Sequence, residues 1–118
     1  MEYLLLVHVD PTTLQALRQA EMTTALAAYG AYTESLHKAG IAKGGNRLRH
    51  ADTATTVRVK GGKTEVHNGP FIETREQLGG YYLIDVPDLD TALAWAARCP
   101  GSSHGAVEVR AVWPMGEA

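Results

Sequence analysis

Cysteine is nearly missing from this chain: Cys99 is the single one in 118 residues, so no intramolecular disulfide can form. A basic excess is missing as well. Lys and Arg number 11 against 13 Asp and Glu, a formal charge of -2, which leaves no electrostatic footprint for nucleic acid. No apolar run approaches the ~18 residues of a membrane span, and no charged-then-apolar leader is visible, so the expectation is a soluble, cytoplasmic protein without membrane contact. The Gly-x-Ser-x-Gly elbow, the phosphate loop and the dinucleotide fingerprint are all lacking; Gly44-Gly45 and Gly79-Gly80 have the wrong spacing for the last. Repeats and low-complexity segments are absent too. What remains is an ordinary globular composition, 45% hydrophobic and 20% charged, read as one domain over residues 1–113 with a tail over 114–118.

Hydrophobic spacing then places the elements. Tyr3 to Val9 is a continuous apolar run, predicting an interior strand. Asp10-Pro11-Thr12-Thr13 starts a helix, with Thr12 and Gln15 at capping-box spacing, and the helical segment can fall into two pieces. Met22, Leu26, Tyr29, Thr33 and Leu36 recur at intervals of four and three, so they share one face; Gly40 ends the helix. Residues 42–48 are a weaker strand. Thr55–Lys60 and Lys63–His67 flank Gly61-Gly62, a two-residue hairpin expected to be half exposed. Tyr81–Val86 is a second mostly apolar strand, the natural neighbour of the first; Asp88 caps a helix that stops at Cys99-Pro100, residues 101–105 read as a loop, and 106–113 as the last strand. Cys99 reads as a small buried hydrophobe. This order is a ferredoxin-like βαββαβ α+β fold with an inserted β-hairpin. Its helices can cover only one face of the sheet, so a homodimer packed sheet to sheet is expected.

One connection is denser in backbone-special and ionisable residues than any other: Asn68-Gly69-Pro70-Phe71-Ile72-Glu73-Thr74-Arg75-Glu76-Gln77-Leu78-Gly79-Gly80. Two readings stand for it. Asn-Gly-Pro-Phe can be a tight turn with the aromatic plugged into the core, and Glu73, Arg75 and Glu76 an ion pair that holds the loop. Alternatively, the same carboxylates and guanidinium face a polar ligand. His8 in its apolar strand is equally double: a hydrogen-bonded core histidine, or an acid–base group facing the helices and meeting Tyr29, Tyr32 or a residue of the 68–80 connection in a small pocket at the strand's end, with Asp10 on its side. His8, His67 and His104 lack metal-ligand spacing, so no metal is expected. Glu108 and Arg110 share a face of the last strand and read as structural, making cross-strand or dimer contacts.

Gly69-Pro70-Phe71, Glu73-x-Arg75-Glu76-Gln77-Leu78-Gly79-Gly80-Tyr81, Asp88-Leu89-Asp90-x-Ala92 and Val107-Glu108-Val109-Arg110 resemble the YCII-related family, and within it the DGPF-domain branch. The resemblance covers nearly the whole chain. It implies a dimeric α/β barrel, in a superfamily of small-molecule enzymes and of members without assigned activity, some of them accessories of sigma-factor systems. Two departures stand out. The family's Asp before Gly-Pro-Phe is Asn68, which keeps a turn former and loses a base, and the His and Asp pair of the shorter branch falls on Tyr29 and Lys38, so that dyad does not carry over.

The expected function follows. A homodimer binds a small polar or aromatic metabolite between sheet and helices and performs cofactor-independent acid–base chemistry. His8 is the acid or base, Glu73 or Glu76 its partner, Arg75 the anchor for an anionic group and Asn68 a positioning amide, with Asp10, Tyr29, Tyr32 and His67 lining the site. The competing expectation is a non-catalytic regulatory or scaffold dimer.

Overall fold

The structure, a computed structural model, describes residues 1–118. Strand β1 (Glu2–Val9) lies inside a four-stranded antiparallel sheet with β5 (Gln77–Asp85) on one side and β6 (Ala106–Ala111) on the other; β2 (Ala42–Arg47) forms the far edge beyond β5. The order β2-β5-β1-β6 is the ferredoxin-like arrangement. Its two crossovers carry α1 (Pro11–Gln15) with α2 (Gln19–Lys38), and α3 (Leu89–Arg98) with α4 (Gly101–His104). Between β2 and β5 stand a 3-10 turn at Ala51–Thr53 and a hairpin of β3 (Thr55–Lys60) and β4 (Lys63–Asn68), which forms a two-stranded sheet of its own. The molecule is a slab of 48 × 47 × 18 Å.

Burial in β1 alternates strictly although its sequence does not. Tyr3, Leu5, Val7 and Val9 face the helices and are buried, clustering with Tyr32, Leu36, Ile84, Ala92, Ala96 and Cys99. Leu4, Leu6 and His8 point to the opposite face, where flanking strands but no helix shield them. Strand period two dictates this, and it corrects the expected placement of His8: the imidazole lies across the sheet from Tyr29 and Tyr32. Burial of a side chain such as Leu5 or Leu36 contributes about 1.5–3 kcal/mol.

Helix ends follow side-chain chemistry. The cap of α1 is Asp10 rather than Thr12: its carboxylate accepts from the Thr12 N–H at 3.0 Å and from Thr12 Oγ1 at 2.6 Å. Glu21 closes the start of α2 by accepting from the Arg18 backbone and side chain. Asp88 caps α3 through the Thr91 N–H at 2.8 Å. Residues 101–104, expected as a loop, form the single turn α4 with Ser102 and Ser103 bonded back to the Cys99 and Pro100 carbonyls.

The hairpin turns on Gly61 and Gly62, with φ of +56° and +77°, the conformation that glycine reaches at no steric cost. Every residue of its two arms except Thr56 is exposed, more than the half exposure that the charged face suggests. Val57 pairs with Val66 on an uncovered apolar face. After β4 the chain bends at Gly69, φ +133°, whose N–H donates to the Ala54 carbonyl at 2.8 Å. Phe71 does not plug the core as the turn reading expects. It is 68% exposed, with the Arg58 guanidinium 5.2 Å from its ring centroid.

Candidate functional site

Two hollows flank the end of the sheet where β1 finishes and β5 begins. The first, a cavity of about 500 Å³, separates α2 from the β2–β5 half of the sheet. Its helix wall is Met22, Leu26, Tyr29, Thr33 and Leu36, the face that spacing alone defines. Its floor is made by glycine: Gly45 pairs with Tyr82 and Gly80 with Arg47, so two positions that would fill the space carry no side chain. A Cβ on Gly45 would lie 2.8 Å from the Tyr81 carbonyl oxygen, and one on Gly80 3.0 Å from that of Asn46. Both sites are closed to larger residues, and the helix stands off where the floor is bare.

Polar groups enter this cavity sparingly. Tyr82 Oη and Thr33 Oγ1 lie 3.2 Å apart. Burial pushes the Tyr29 phenol up to about 12 and raises that of Tyr82, so both stay protonated donors at neutral pH. The closed end is Val7 and Leu36; the end at the solvent is formed by Arg47, Leu48, Arg49 and His50. Such a space, mostly apolar with a few convergent polar groups, has the character and size of a small-molecule site.

The second hollow is an open polar cleft of about 620 Å³ at the same end of β1, lined by His8, Asp10, Thr13, Thr74, Arg75, Glu76, His104 and Ala106; the His104 ring stands edge-on to that of Tyr29, centroids 6.5 Å apart. His8 Nε2 lies 3.0 Å from Glu108 Oε1. Arg75 Nε donates to Asp10 Oδ2 at 3.1 Å. Asp10 is only 14% exposed, and its carboxyl is held below the usual range first by the Thr12 hydroxyl and then by Arg75. Gln77 fixes the loop that delivers Arg75: its Nε2 donates to the Ile72 and Thr74 carbonyls at 2.7 and 3.1 Å.

The residues singled out from sequence therefore divide. His8, Asp10, Arg75 and Glu76 meet in the cleft, and Tyr29 lines the cavity. Tyr32 is a core residue, its hydroxyl donating to the Trp95 carbonyl at 2.7 Å and its ring set edge-on to Tyr82. His67, Asn68 and Glu73 sit together around Gly69 at the hairpin base, apart from both hollows: His67 Nε2 and Glu73 Oε1 are 3.2 and 3.4 Å from where a Cβ on Gly69 would stand. The partner of His8 is Glu108, which strand period had placed on a shared face with Arg110 but read as structural. His104 enters the cleft because residues 101–104 are helical. No group of three His, Cys, Asp or Glu side chains is arranged to hold a metal ion. Cys99 is buried, its thiol raised by burial, and no helix is long and apolar enough to cross a membrane.

Topology and hollows together define an α+β protein of ferredoxin-like fold with a small-molecule-sized cavity between sheet and helix. Residues 1–116 match the YCII-related domain, and the chain belongs to that family. It is 36% identical to an uncharacterised protein of Rhizobium meliloti (strain 1021), over 99% of this chain and 98% of that one. Among solved structures, the fold is shared with 5-chloro-2-hydroxyhydroquinone dehydrochlorinase from Burkholderia phenoliruptrix AC1100, in complex with 2,5-dihydroxybenzoquinone; the TM-score is 0.56 at 18% identity, covering 98% of this chain and 96% of that one.

Proposed function

We propose that this protein binds a small, ring-bearing metabolite in the cavity between α2 and the sheet. The observation that carries this reading is the cavity itself: glycines at 45 and 80 keep the floor bare, and five side chains of one helix face line the opposite wall without closing on it. An occupant removes the apolar lining of this space from water, which favours binding. The complex of the Burkholderia protein with 2,5-dihydroxybenzoquinone supports a ligand of ring size in this fold. Gly30 supplies the test. It lines the cavity, and a Cβ there meets nothing within 4 Å, so Gly30→Trp places a bulky ring at the cavity's edge without a backbone clash. Indole titrated into labelled protein should shift the amide signals around Tyr29, Thr33 and Tyr82, and Gly30→Trp should abolish the effect. Shifts elsewhere, or shifts that survive the substitution, refute the reading.

A second reading rests on the cleft. His8 beside Glu108, with Glu76 and His104 on the same walls, has the composition of a cofactor-independent acid–base site. Under this reading His8→Gln abolishes turnover while indole binding in the cavity persists. The uncovered face that carries Leu4, Leu6, Tyr81 and Leu83 supports pairing with a second copy in either case; sedimentation as a monomer at micromolar concentration rules this out.

A further inference from the structure

The charged residues that line the cavity are all of one sign. Acidic residues outnumber Lys and Arg by 13 to 11 in the chain, yet no Asp or Glu lines this space, whereas Arg47 and Arg49 do. Register explains how Arg47 comes to be there. Ala42 faces the buried Ile84, the bulge at Lys43 resets the alternation, and Gly45 and Arg47 then fall opposite Tyr82 and Gly80, on the side of the sheet that faces α2. The guanidinium thus arises at the rim of an apolar space. Neither Arg47 nor Arg49 is engaged by a carboxylate, in a structure where Arg18, Arg75 and Arg110 each have one. The half-buried donors deeper in, Tyr29 and Tyr82, are neutral phenols.

From this arrangement we infer that the cavity takes a ring-bearing carboxylate, its apolar body against Leu26, Tyr29 and Tyr82 and its anionic group at the rim on Arg47 and Arg49. The inference rests on the cavity being a binding site, and it names the chemical class of the ligand. An apolar wall alone holds a neutral ring as well as a charged one. Two unpaired guanidiniums beside it, with no competing carboxylate, favour the anion, because their fork of N–H donors matches a carboxylate in charge and shape. The low polarity of the adjoining wall strengthens that attraction relative to water. A cationic or zwitterionic ligand finds no countercharge here.

Matched pairs that differ only in the charged group provide the test: 1-naphthoate against 1-naphthamide, and 3-phenylpropionate against 3-phenylpropionamide, titrated by calorimetry into the full chain at neutral pH. The carboxylates should bind at least about tenfold more tightly than their amides. Arg47→Gln with Arg49→Gln should erase that gap while the amides bind as before, and Arg47→Lys with Arg49→Lys should restore part of it. Both arginines are exposed, so folding is unaffected, which circular dichroism verifies. Equal affinity within the pairs in the unsubstituted chain overturns the inference and leaves the cavity reading standing. Binding by neither member removes both. A gap that survives the double Gln variant also overturns it, since the anion is then held elsewhere.

Discussion

Leu36 and Leu26 lie on the same face of α2, line the same cavity and differ only in depth, which makes them a calibrated pair. Leu36 is 1% exposed and Leu26 42%. Truncating a fully buried leucine to alanine costs about 2–5 kcal/mol, the spread reflecting how much empty space is left behind. At Leu36 the vacated volume opens onto a cavity that already exists, so Leu36→Ala belongs in the lower half of that range, about 2–3 kcal/mol. Leu26 has left water only in part, and roughly half the transfer energy of a leucine, about 1 kcal/mol, is at stake there. For a chain of this length 1 kcal/mol moves the melting temperature by roughly 4 °C. Leu36→Ala should therefore lower it by about 8–12 °C and Leu26→Ala by about 4 °C. Urea unfolding followed by far-ultraviolet circular dichroism measures both differences directly. Similar losses at the two sites would refute the reasoning, because they mean that the N-terminal half of α2 packs on the sheet as tightly as the C-terminal half and that no cavity separates them.

Further consequences concern protons. The Asp10 carboxyl titrates below its ordinary value, held by Thr12 and then Arg75, so the stability it contributes is complete above about pH 4, its value in the unfolded chain, and disappears as pH falls through the lower folded value. Asp10→Asn keeps a cap former and removes the charge; the urea midpoints of wild type and variant should differ at pH 7 and converge at pH 2–3, and a difference that stays constant with pH contradicts the assignment. At the alkaline end, burial raises the phenols of Tyr29, Tyr32 and Tyr82. Phenolate formation followed by ultraviolet absorbance should leave three of the five tyrosines protonated well past the usual range, and the stability tied to keeping them neutral is retained below about pH 10 and lost as pH climbs through their folded values. Five tyrosines titrating together in the native state would contradict this.

Much of this molecule could be read from its residues, for identifiable reasons. Strand order, the Asp88 cap and the Gly61-Gly62 hairpin follow from local rules, whereas the α1 cap falls on Asp10 instead of Thr12; the spacing of Met22, Leu26, Tyr29, Thr33 and Leu36 places them on one helix face because helical period is insensitive to what lies opposite. The opposite wall was hidden. Gly44-Gly45 and Gly79-Gly80 register as breakers or failed nucleotide motifs in a linear reading, since the meaning of a glycine in a strand depends on which residue of the neighbouring strand it faces. His8 was misplaced for a related reason. A run of apolar residues on both sides hides the alternation, so the sequence offered no sign of which face the imidazole would take, nor that Glu108, 100 residues away, would meet it.

The register shift between Val7 and His8 ties the two hollows together. With β1 and β5 paired regularly to the end, Val7 opposite Gly80 would bring Gly79 against His8 and Leu78 against Val9, on the helix side. The bulge inserts one residue into β5, so Leu78 pairs with His8 and Gln77 with Val9. Gln77 then reaches back to the Ile72 and Thr74 carbonyls and folds the preceding loop over the end of the sheet, which sets Arg75 on Asp10. Arg75 is 89% exposed, so its charge pair adds little stability by itself. Its position matters more, since it forms one wall of the cleft that holds His8. Filling the bulge should therefore disturb the cleft: a Cβ on Gly79 would lie 2.9 Å from Val9 Cγ2. Gly79→Ala is expected to shift the side-chain signals of His8 and Arg75 along with that of Val9, while the hairpin, bonded into a separate sheet, keeps its spectrum. A response confined to Val9 would mean that the loop is held by something other than the bulged strand beneath it.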